Sequence, residues 1–234
     1  MKIAHISLGP TCVPAEILKA SGLRTCTFGF DWFRSGSFFV EEFLNISLPC
    51  FLDKYVINPC IPLRQMLPSV LESSASHTME PSVINPIYGY TYLYNPHRVL
   101  DDPRTAAYYK RSFDRLRRAI YDSSTFKRYF VADYVNKEHA IHLDSENEII
   151  DWFKRLSLLH GLSGELYILR VSLSQSKIYQ VERVQRFDDP GMSIYICNVT
   201  YWEELDKEET RFCVYKKLGR DIFGAINNGL LWRP

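Results

Sequence analysis

Apolar and polar positions alternate with a period of two from Ile3 to Leu8; Gly9-Pro10 then interrupts, and from Val13 to Ser21 the period lengthens. The spacing predicts a strand, a turn and a helix: Thr11 can cap the helix, Pro14 belongs in its first turn, and Gly22 ends it. Phe38, Phe39, Phe43 and Leu44 recur at helical spacing, and the interleaved Pro49, Pro59, Pro62 and Pro68 predict short helices and ordered loops up to about residue 82. Tyr88, Tyr90, Tyr92 and Tyr94 alternate, the period of a strand with one aromatic face, and deliver the chain to Asn95-Pro96-His97.

Asp102-Pro103 opens the clearest amphipathic helix. Ala106, Tyr109, Phe113, Leu116 and Ile120 form its apolar side, and Lys110, Arg111, Arg115, Arg117 and Arg118 read as a solvated face. Residues 128–135 alternate as a strand; Ser145-x-x-Glu148 is a capping box ahead of Ile149, Phe153 and Leu156, and Gly161 closes that helix. Residues 166–173 and 193–199 are further strands. Strands alternating with helices predict an α/β (or α+β) fold, a central sheet with flanking helices, as a single domain over residues 1–234.

Composition narrows the partners. The 234 residues are 46% hydrophobic and 14% aromatic, enough for a full core. Lys and Arg number 28 against 27 Asp and Glu, a net charge of +1, so no field recommends nucleic acid or an anionic membrane. No apolar stretch approaches the roughly 20 residues of a membrane helix, and the start has too short an apolar run for a signal peptide. A soluble, cytoplasmic protein is expected. The six cysteines, at 12, 26, 50, 60, 197 and 213, include no C-x-x-C pair and no zinc spacing. Free thiols, no metal and no cofactor follow as expectations; the oligomeric state is open.

Cys12 sits where the first strand gives way to the first helix, a place where backbone amides and the helix dipole favour a thiolate over a thiol of ordinary pKa about 8.5. The same residue can equally be a small buried hydrophobe. His97, between a strand and a capped helix, is placed as a loop base could be, or as an exposed turn histidine. His5 alternates within the first strand, and His77, His139, His142 and His160 fall in loops or near helix ends. Asp31, between two large aromatics, needs a polar partner if buried, and Arg24 or a turn amide could supply it. A lone Gly9 is a poor phosphate loop, which argues against a nucleotide fold.

The run Ser7-Leu8-Gly9-x-x-Cys12-x-x-Ala15-x-x-Leu18-x-x-x-Gly22-Leu23-Arg24, followed by Phe30-Asp31-Trp32, resembles the N-terminal signature of the papain-like cysteine peptidase family, a domain of unknown function. Asn95-Pro96-His97, then Tyr109, Phe113, Arg115 and Arg118, then Tyr129-Phe130-Val131, follow in the family's order, so the resemblance runs from residue 3 to about 135 with an echo near 227–232. It implies a cysteine-nucleophile enzyme, a peptidase, deamidase or acyltransferase working at an amide or thioester carbonyl, with a peptide or protein as the expected substrate: Cys12 attacks, His97 is the base, and amides near 9–13 hold the oxyanion. Asp31 leads Asp102 and Asn227 or Asn228 as the residue that orients the imidazole. Gly9 and Trp32 fall on the substrate side, and the alternating tyrosines line a groove or pack a core. The other five cysteines read as packing residues.

The chain departs from the family pattern in two places. The family has His-Asp where this sequence has His97-Arg98, and Phe-Val-Arg where it has Phe130-Val131-Ala132. An inactive member serving in binding or assembly therefore stands beside the hydrolase, as does a glycan- or nucleotide-handling transferase that uses the strand–turn–helix as a phosphate or sugar contact.

Overall fold

Phe130-Val131-Ala132, Ile168-Leu169 and Ile196-Cys197 are buried whichever way their side chains point, the mark of strands covered on both faces. The computed structural model describes residues 2–9, 12–34, 37–52, 83–85, 89–93, 103–134, 146–174, 179–189, 192–202 and 208–227. Its strands are β1 (Lys2–Ser7), β2 (Phe33–Arg34), β3 (Val83–Asn85), β4 (Gly89–Leu93), β5 (Thr125–Tyr134), β6 (Gly164–Ser174), β7 (Tyr179–Asp189) and β8 (Met192–Trp202). Its helices are α1 (Val13–Ala20), α2 (Ser37–Asn45), α3 (Leu48–Leu52), α4 (Pro103–Tyr121), α5 (Glu146–His160) and α6 (Glu208–Asn227), with a 3-10 turn at Gly29–Trp32.

The central sheet has the order β1-β5-β6-β8-β7; its first four strands are parallel and β7 closes the edge antiparallel to β8. A small antiparallel sheet, β2-β4-β3, stands apart from it. Alternation sorts the layers. Ile6, Leu8, Tyr129, Val131, Leu166 and Ile168 belong to one core, with Phe residues of the 3-10 turn, α2, α3, α4 and α5. Phe130, Ala132, Tyr167, Leu169, Tyr195 and Cys197 belong to a second, against α1 and α6. The mixed α/β fold with a central sheet and flanking helices is the one the alternation of elements predicts. Among the described residues no helix is long and apolar enough to cross a membrane.

Four details differ from the sequence reading. β5 starts at Thr125, earlier than residue 128, and the reading assigned no element to β7 or α6. The basic side of α4 is not uniformly solvated: Arg115 donates from Nε and Nη2 to the Thr27 carbonyl at 3.1 and 2.9 Å. Arg117 donates to the carbonyls of Phe43 and Ile46, the latter at 2.7 Å. Of the cysteines read as packing residues, Cys197 is buried and Cys26 packs against the first core, but Cys50 and Cys213 are exposed. Cys60, the 73–76 serine run, Tyr88, Tyr94 and the Ser145 cap lie outside the described residues.

Candidate active site

β1 does not release its partner when it ends. The Leu8 amide donates to the Phe130 carbonyl at 2.9 Å, and the Gly9 carbonyl accepts the Ala132 amide at 3.1 Å. Gly9 itself has φ +88°, in the left-handed region open to glycine, which lets the chain leave the sheet and turn toward α1. Cys12 is the N-cap of that helix, with φ −73° and ψ −12°, and its carbonyl accepts the Glu16 amide at 2.8 Å. Thr11, the expected cap, lies outside the described residues. The thiol is half-buried and stands at the carboxyl end of the parallel strands, where ligands bind in open α/β sheets. Pro14 brings no amide to the first turn, so the Val13 and Ala15 amides are the ones nearest the cap.

The loop after α1 folds around Asp31. Its Oδ2 accepts the Phe28 amide at 3.0 Å and lies 2.9 Å from Nη2 of Arg24. Arg24 also donates from Nη2 to Oγ1 of Thr27, at 2.6 Å, and from Nε to the Cys26 carbonyl. Burial pushes the Asp31 carboxyl up to about 6, against the opposing pull of Arg24 and the Phe28 amide; Glu16 adds to the upward push. Glu16 is one turn along α1 from Cys12, so the carboxylate lies beside the helix that carries the thiol. Among the described residues Oδ1 of Asp31 accepts no hydrogen bond.

Aromatic packing explains the residues around that carboxylate. The Phe30 ring meets Phe43, Phe51 and Phe113 edge-on at 5.8, 6.2 and 5.2 Å. A Cβ on Gly29 would overlap the Phe113 ring, so any larger residue there would force that ring to shift. Phe113 and Arg115 of α4 thus grip the loop that presents Asp31, one by its ring and the other by its fork on Thr27.

A family model described as "putative papain-like cysteine peptidase" matches residues 3–157. The chain belongs to this family. The matched range takes in β1, the Cys12 turn, the Asp31 loop and α4, and stops within α5, so β6, β7, β8 and α6 lie beyond it. Neither curated proteins nor solved structures give a match.

Several other residues weighed in the papain-like cysteine peptidase reading are also placed. His5 packs against Phe130 and Phe223 beneath α6; burial and the Arg128 charge hold its imidazole down at about 4, and its Nε2 is buried without a partner. It is therefore a neutral packing histidine. Burial pushes the Cys197 thiol up to about 12, which makes it inert. Asn227 ends α6. His97, Arg98, Asp102, Asn228, His77, His139 and His142 lie outside the described residues, as does the side chain of Trp32. Among the described residues no three His, Cys, Asp or Glu side chains gather as metal ligands would. The sequence reading counted Arg115 among the solvated cations and passed over Glu16. Arg115 follows Phe113 by two in the helix motif, the one signal that could have separated it from the solvated cations.

Proposed function

We propose that this chain is a cysteine-nucleophile hydrolase or acyl-transfer enzyme acting at an amide or thioester carbonyl of a peptide or protein. The observation that carries the reading is the position of Cys12, half-buried at the N-cap of α1 beyond the left-handed Gly9. Family membership supports it.

In this reaction the Cys12 sulfur attacks the carbonyl carbon and its proton passes to His97. Backbone amides of the 9–13 turn receive the oxyanion, and His97 returns the proton to the leaving group as the thioester forms. Water or a second nucleophile then releases the acyl group. Asp31 orients the imidazole: both of its described contacts fall on Oδ2, which leaves Oδ1 to accept from a ring N–H. Gly9 and Trp32 contact the substrate. The test is mass spectrometry of the protein incubated with a panel of peptide amides and thioesters. A mass increase on the peptide containing Cys12, absent in Cys12→Ala, supports the reading; turnover that survives Cys12→Ala sinks it.

A second reading, an inactive member serving in binding or assembly, draws on Ala132. Its amide is bonded to Gly9 and its side chain is buried with Val13 and Ile17, so the position that carries arginine in the family pattern offers no cation beside the turn. Thiol reactivity separates the two readings.

A further inference from the structure

Among the described residues Lys127 is the one buried lysine or arginine. It is only 6% exposed, and the described carboxylates near it are bonded to other residues. The buried part is the aliphatic stem, and the ammonium at its end still meets the water of the cleft beside it. Lys127 lines a cleft of about 710 Å³ at the amino ends of β5, β6 and β8. The cleft is within the size range of small-molecule sites. Seven residues of β5 separate Thr125, in its wall, from Ala132 beside the Gly9 turn, roughly 23 Å at about 3.3 Å per residue. The cleft and the Cys12 turn are thus at opposite ends of the sheet.

The carboxylates of the wall are already occupied. Glu165 accepts from Nε of Arg128 at 2.6 Å and from the Tyr167 hydroxyl at 2.7 Å. Asp188 accepts from Arg186 at 2.8 Å and from the Ser193 hydroxyl at 3.0 Å. Asp122, just outside the wall, accepts from Ser124 and Thr125. Lys127 is left as the cation that none of these carboxylates holds. It shares its strand face with Thr125, and Tyr121, Ser123 and Ser163, all exposed, bring hydroxyl donors to the same cleft. The carbonyl ends of α4 and α5 reach this same edge of the sheet.

We propose that this cleft is a second ligand site, for the oxyanion of a small phosphate or carboxylate compound, with Lys127 as its cation and the neighbouring hydroxyls as additional donors. An oxyanion offers the ammonium a charge-assisted acceptor and takes several hydroxyl hydrogen bonds at once.

Calorimetric titration of the full chain with inorganic phosphate, and separately with acetate, at matched ionic strength in chloride, tests this. Saturable one-to-one binding of either anion is expected, weakened about tenfold or more by Lys127→Met and largely kept by Lys127→Arg, as the loss of one charge-assisted contact requires. Preference for phosphate or for acetate then names the ligand class. Binding should be unchanged in Cys12→Ala, which keeps this site separate from the proposed chemistry. Should Lys127→Met fail to fold, amide shifts of the wild-type chain decide: changes gathered at 121–127 and 161–165 support the site. No saturable binding of either anion, binding indifferent to Lys127→Met in a folded variant, or shifts gathered around 9–16 would overturn it.

Discussion

The Arg24 guanidinium lies 2.9 Å from the Asp31 carboxylate, and neither side chain is more than a tenth exposed. A pair this deeply buried adds little net stability, because both charges lost their water, yet it is costly to break from one side. Its consequence is geometric: it ties the end of the α1 segment to the 3-10 turn and holds Asp31 beside the helix that carries Cys12.

Removing one partner exposes that asymmetry. Arg24→Ala should lower stability by about 3–5 kcal/mol at pH 7.5, since it strands a buried carboxylate. Urea unfolding measures it. A loss below about 1 kcal/mol would mean that the pair behaves as a surface contact.

Two buried groups should pull the pH dependence of stability in opposite directions. Asp31, raised to about 6, contributes stability that is fully present below its ordinary value near 3.8 and is lost as pH rises through 6. His5, lowered to about 4, contributes stability present above 6.5 and lost as pH falls toward 4. Between pH 4 and 6.5, Asp31→Asn should therefore steepen the rise of stability with pH and His5→Gln should flatten it. Chemical denaturation across that range reads both slopes; the reverse ordering would show that one of the two shifts has the wrong sign.

Gly29 and Phe113 form a second coupled pair. Gly29→Ala drives a methyl group into the Phe113 ring and should cost about 1–3 kcal/mol, the usual range for overpacking. Phe113→Ala should cost about 3–5 kcal/mol by opening a cavity among Phe30, Phe43 and Phe51. Combined, the two changes should cost less than their sum, because the smaller side chain makes room for the methyl group. Strict additivity in thermal or urea unfolding would contradict the contact.

What could be read from the sequence followed from local periodicity. The β1-turn-α1 unit, α4, α5, β6 and β8 each carry a regular apolar pattern bounded by glycine, proline or a cap, and each forms close to where that pattern lies. α6 escaped because Gly219 and Gly224 weaken a helical pattern by about 1 kcal/mol each. Gly219 is there for a tertiary reason: a Cβ would strike the Ser21 hydroxyl, so glycine lets α6 cross close to the end of α1. β7 escaped because it is an edge strand rich in charge, with an irregular register between Val181 and Arg183. At the candidate site, the Cys12 turn was legible as a strand-to-helix junction. The grip of Arg115 on Thr27 was not, since those residues are 88 apart and nothing local links them.

In the proposed mechanism the α1 N-cap makes Cys12 a reactive thiolate with His97 as its partner. The direct measurement is the rate of alkylation of each cysteine by iodoacetamide across pH 5 to 10, read peptide by peptide, with exposed Cys50 and Cys213 as internal references. The Cys12 profile should be displaced to lower pH than both references by at least about one pH unit, and should move back toward them in His97→Ala. A Cys12 profile with its midpoint near the ordinary thiol value of about 8.5, coincident with the references and indifferent to His97→Ala, would contradict it.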